Sequence, residues 1–120
     1  MDLRWPDSGS LLDSLLSEAG DPATTGSGGL SGVTPAHLDA ALAALQRGDV
    51  EYLILEDGAR FLQAAGDGDG PYQVQVTNDG ETMHDIDDGV DAVTMQRILR
   101  AYLRGDHTWR DAPWTPPLGF

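Results

Sequence analysis

Val50-Glu51-Tyr52-Leu53-Ile54-Leu55 and Ala59-Arg60-Phe61-Leu62-Gln63-Ala64-Ala65 flank Asp57-Gly58, and this stretch decides the fold. Both flanks carry β-branched, aromatic and aliphatic residues at strand lengths, and Asp-Gly is the dipeptide that best tolerates the positive φ of a tight hairpin turn. The spacing predicts an antiparallel hairpin over 50–65. Downstream, Tyr72-Gln73-Val74-Gln75-Val76-Thr77 alternates apolar and polar residues, and Asn78-Asp79-Gly80 leads into Glu81–Ile86. A three-residue loop there predicts Val76 opposite Thr82, Val74 opposite His84 and Tyr72 opposite Ile86. That register sets Tyr72, Val74, Val76 and Ile86 on one face and Gln73, Gln75 and Asp85 on the other. One-sided burial requires a sheet covered by helices on a single face.

Two helices frame this four-stranded meander. Thr34 is suited to cap a helix that opens with Pro35, where a missing N–H is harmless. Leu38, Ala41, Leu42 and Leu45 form its apolar stripe, and Gly48 ends it. A last helix is predicted over Val90–Arg104, with Asp88 as cap and Met95, Ile98, Leu99 and Tyr102 facing inward. Before the body, residues 1–33 read as an arm: a short helix bearing Leu11, Leu12, Leu15 and Leu16, capped by Ser10 and ended by Gly20, then a Gly/Ser/Thr-rich connector. The body is 34–120. The expected fold is an α+β two-layer sandwich in the order α-α-β-β-β-β-α.

The chain has 120 residues, enough for one domain that buries roughly 65% of its unfolded surface. It contains no cysteine, which removes disulfides, thiolate metal sites and thiol nucleophiles and suits a cytoplasmic location. The N-terminus has neither a basic start nor a long apolar run, so neither a signal peptide nor a membrane span is expected. Twenty acidic residues against seven arginines give a formal charge of −13. Phosphate backbones need a basic footprint, so nucleic acid is not an expected ligand; a basic protein is.

Catalytic and metal signatures are lacking. Asp67-Gly68-Asp69-Gly70 resembles the start of a calcium loop, but its third carboxylate is missing and Asn78 stands where the closing Glu belongs. His37, His84 and His107 show no metal-ligand spacing, and His84 and Asp85 should point to opposite faces of their strand. Neither a nucleophile elbow nor a phosphate-cradling glycine loop occurs. No cofactor, metal or catalytic residue is assigned.

Two groups stand out. Asp79, Glu81, Asp85, Asp87, Asp88 and Asp91 crowd a strand edge and the following helix start. Beyond helix capping, such a face could steer a basic partner. Trp109 and Trp114, with Tyr102 and Arg110, are the residue types of interface anchors and equally of a closed core edge.

Phe61-Leu62-Gln63-Ala64-Ala65 after the Asp-Gly turn, the strand with His84, and Tyr102-Leu103-Arg104-Gly105-Asp106 followed by Trp109 and Trp114 resemble small actinobacterial proteins grouped with the immunity proteins of polymorphic toxin systems. The resemblance spans about residues 34–115. It implies a non-enzymatic, one-to-one inhibitory complex with a basic toxin. The expected partner-binding residues are Asp85, Asp87, Asp88 and Asp91, with Trp109 and Trp114 as anchors. A DNA-mimic inhibitor of a DNA-binding protein and a small hydrolase are the alternatives, and a homodimer through the open sheet face or its edges is compatible with each.

Overall fold

The computed structural model describes residues 1–6, 24–26 and 29–118. Its centre is the expected meander: β4 (Tyr52–Asp57), β5 (Arg60–Ala65), β6 (Gln73–Thr77) and β7 (Met83–Ile86), each antiparallel to the next. The sheet is wider than four strands. Three short strands, β1 (Asp2–Arg4), β2 (Thr24–Gly26) and β3 (Gly29–Ser31), extend it beyond β4, and β8 (Trp114–Thr115) extends it beyond β7. The described residues form one eight-stranded antiparallel sheet in the order β2-β3-β1-β4-β5-β6-β7-β8.

The N-terminal residues thus contribute to the sheet rather than standing apart from it. β1 lies between β3 and β4, with Leu3 opposite Leu55 and both side chains fully buried. Trp5 is buried as well. Two large apolar side chains next to the chain start favour docking over solvation by about 1.5–3 kcal/mol each. The helix expected over residues 10–20 lies outside the described residues.

α1 (Pro35–Arg47) and α2 (Ala92–Arg104) cover one face of the sheet. Thr34 caps α1 as expected, and His37 completes a reciprocal box: its N–H donates to Thr34 Oγ1 (3.3 Å), and its Nδ1 accepts the Thr34 N–H (3.0 Å). Leu38, Leu42 and Leu45 from α1, with Met95 and Leu99 from α2, meet Leu53, Leu55, Leu62, Ala64, Val74 and Val76 in one continuous core. Gln96 donates to Gln46 (3.1 Å) and Arg100 pairs with Asp39 (3.1 Å), tying the two helices together.

Two expectations are corrected at the β7–α2 end. β6 and β7 pair Gln75 with Asp85, Val76 with His84 and Thr77 with Met83, two residues from the expected register. The cause is the turn itself. Asp79 Oδ1 accepts the N–H groups of Glu81 (2.8 Å) and Thr82 (2.9 Å), while Thr77 Oγ1 accepts the Gly80 N–H (3.0 Å), which holds a five-residue loop instead of three. A slip of two leaves the parity intact, so His84 and Ile86 stay on the buried face and Asp85 on the other. The last helix starts at Ala92 with Asp91, not Asp88, as its cap; Asp91 Oδ1 accepts the Thr94 N–H at 2.8 Å. Val90 cannot be helical because its backbone exchanges two hydrogen bonds with Tyr72 (2.7 and 3.0 Å), which holds the chain extended until that point.

Candidate functional site

The acidic segment divides by the use its carboxylates already have. Asp79 is consumed by the turn it holds, and the N–H groups of Thr82 and Glu81 keep its carboxyl below the usual carboxylate range. Asp91 is consumed as helix cap, its carboxyl likewise lowered by hydrogen bonding to Thr94. What these two do for the backbone is structural, although both remain at the surface.

Asp87 and Asp88 are different. Both are exposed on the turn between β7 and α2, followed by Gly89 in the left-handed region (φ 73°). Five ion pairs occur among the described residues: Arg4–Glu56, Arg47–Asp49, Arg60–Asp57, Arg100–Asp39 and Arg104–Asp106. None of them reaches the segment 79–91. Asp85 projects from the sheet face that the helices leave uncovered, opposite Gln75 on β6 and Thr115 on β8. It is half-buried, and its Oδ1 is shielded from solvent with no hydrogen-bond partner. Because β8 flanks β7, Asp85 sits on an interior strand and not on the expected sheet edge. The structure therefore leaves Asp85, Asp87 and Asp88 close in sequence, unpaired by cations among the described residues, at the junction of the uncovered face and the β7–α2 turn.

Trp109 and Trp114 go to the core. A 3-10 turn, His107–Asp111, follows α2 and carries Trp109, and β8 begins with Trp114. The indoles are only 7% and 5% exposed and meet edge to face with centroids 6.2 Å apart. Trp114 Nε1–H donates to the Trp109 carbonyl at 3.0 Å, which satisfies the one polar atom of a buried indole. Tyr102 packs edge to face on Trp109 at 5.2 Å, and the Arg110 guanidinium lies 5.4 Å from the Trp109 ring. Such burial makes both tryptophans closers of the core edge; as side chains they present little surface to a partner.

The remaining candidates are structural. His84 is buried and its Nδ1–H donates to the Pro116 carbonyl (2.6 Å), fastening β7 to the chain beyond β8. His84 and Asp85 face opposite sides of the sheet, as their adjacency requires. The Asp67–Gly70 loop wraps Tyr72: the Tyr72 hydroxyl donates to the Gly68 carbonyl, and the Ala92 N–H donates to the Asp69 carbonyl. Among the described residues, no group of three or more His, Asp or Glu side chains is placed to hold a metal ion, and no helix is long and apolar enough to cross a membrane.

Of the sequence group Tyr102, Trp109, Trp114 and Arg110, all but Trp114 line a cleft, and the fold adds Arg60 and Arg104 to its wall. Arg60 comes from the β4–β5 hairpin, far from the others in sequence, so only the pairing of β5 beneath α2 brings it there. No protein-family model, curated protein or solved structure matches the chain.

Proposed function

We propose that the chain is a non-catalytic protein-binding module that engages a basic partner through Asp85, Asp87 and Asp88, with Asp91 at the rim. The observation that carries this reading is the absence of any ion pair along the 79–91 segment among the described residues, while Asp39, Asp49, Glu56, Asp57 and Asp106 each pair with an arginine. Unpaired like charges on one turn repel each other, a cost that a cationic surface would remove. Asp85 supports it further: a carboxylate oxygen without a hydrogen bond in a shielded position lowers stability, a cost that a cationic partner would offset.

An immunity role fits this chemistry. A toxin domain that works on nucleic acid presents cations to phosphates, and an acidic protein that docks there would mask them while gaining on-rate from steering. The test is titration of the chain against the toxin-like product of a neighbouring gene. Stoichiometric binding that D87K/D88K weakens is expected; binding indifferent to that charge reversal would refute the assignment.

A further inference from the structure

In a chain of charge −13, three of the seven arginines line one cleft. Arg60 enters it from the start of β5, Arg104 from the last turn of α2, and Arg110 from the 3-10 turn. One carboxylate, Asp57, shares the lining. Tyr102 and Trp109 supply an aromatic wall in edge-to-face contact, with the buried Val76 behind them. The cleft holds about 310 Å³. That is the lower end of the range for small-molecule sites, and more than a bare oxyanion fills.

We propose that this cleft binds a small organic phosphate monoester, its phosphate held by Arg60, Arg104 and Arg110 and its organic part seated against Tyr102. The guanidinium is planar and presents parallel N–H donors that match two oxygens of a phosphate. Arg60 and Arg104 are available at little cost. Arg60 pairs with Asp57 (2.7 Å) and Arg104 with Asp106 (3.5 Å), and all four side chains are about half exposed. Ion pairs of this kind contribute at most about 1 kcal/mol, so a dianion held by several arginines at once displaces them favourably. Arg110 is pre-positioned by its place over the Trp109 ring, which lowers the entropy it loses on binding.

The site is separate from the acidic segment and goes beyond the protein-binding reading. Asp91 caps one end of α2 and Arg104 lies in the last turn at the other, thirteen residues away, which is about 20 Å along a helix. Loss of one site leaves the other to be measured by itself.

The experiment is a titration of the full chain, followed by amide and indole NMR shifts, with phenyl phosphate, inorganic phosphate and phenol as probes. Saturable shifts at Tyr102, Arg104, Gly105 and the Trp109 indole are expected with phenyl phosphate, weaker ones with inorganic phosphate and none with phenol. R60Q and R104Q alter exposed side chains and should each weaken phenyl phosphate about tenfold, as expected for loss of a charge-assisted contact. For the unaltered chain, affinity should fall as sodium chloride rises. Absence of saturable shifts, affinity unchanged in R60Q and R104Q, or salt-independent binding would overturn the proposal. Inorganic phosphate binding as tightly as phenyl phosphate would overturn the ester assignment.

Discussion

The Tyr72 hydroxyl donates to the Gly68 carbonyl across 2.5 Å, and this bond turns the Asp67–Gly70 loop into a clamp on the one fully buried tyrosine. Burial, and then the charges of Asp67 and Asp69, push the Tyr72 hydroxyl above its ordinary range, so it stays protonated and donating at any ordinary pH. Gly89 closes the clamp from the other side: its φ is 73°, and a Cβ there would stand 2.9 Å from the Tyr72 carbonyl oxygen. The loop that resembles a calcium site is thus occupied by its own neighbour.

Y72F should destabilise the chain by about 1 kcal/mol, because the hydrogen bond to the Gly68 carbonyl is lost while the ring stays in place. G89A should cost more, since both the left-handed φ and the backbone clash oppose it. Urea denaturation checks the order. G89A as stable as the parent would contradict the clamp.

Acid should act in two stages. Burial holds His37 below its ordinary value of 6.5, so the unfolded chain takes up the proton first. Its contribution is complete above about pH 6.5 and is lost as pH falls from there towards the lowered folded value. Protonation also removes the Nδ1 lone pair that accepts the Thr34 N–H. H37Q keeps a capping-box acceptor without titrating, and should flatten the stability profile just below pH 6.5.

A second loss should follow nearer pH 4. Backbone hydrogen bonds hold Asp79 and Asp106 below the ordinary 3.8, and bonding to Thr94 does the same for Asp91. Lowered folded values stabilise above the unfolded pKa and are lost as pH falls through the folded one. D79N, read in the same acid titration, should reduce this second step.

W114F keeps an aromatic ring in the core but deletes the Nε1–H that meets the Trp109 carbonyl. A loss of about 1–3 kcal/mol is expected, and W114A should lose about 3–5 kcal/mol through the cavity it leaves. If Trp114 acted chiefly on a partner, stability would barely move in either variant.

Much of this was legible in the residues. The hairpin at Asp57-Gly58, the alternation of β6, the Thr34-Pro35 start of α1 and the one-faced helical cover all follow from local pattern. The two-residue register slip did not, because it depends on how Asp79 arranges hydrogen bonds within its own turn. The start of α2 was displaced because Val90 is held by Tyr72, a contact no periodicity reveals. β1 and β8 are too short to carry an alternation, and each is fixed by buried side chains: Leu3 and the adjacent Trp5 for one, Trp114 for the other. The acidic cluster was visible as composition. Which carboxylates are already committed, Asp79 and Asp91, and which are not, Asp87 and Asp88, required the fold.

On the proposed reading, Asp85, Asp87 and Asp88 serve a partner and not the fold. Chemical denaturation of D85A/D87A/D88A beside titration against the toxin-like neighbour separates the two roles. Unchanged or higher stability is expected, since repulsion and an unsatisfied oxygen are removed, together with an affinity at least about tenfold lower, mainly through slower association at low salt. Reduced stability with undiminished affinity would contradict it.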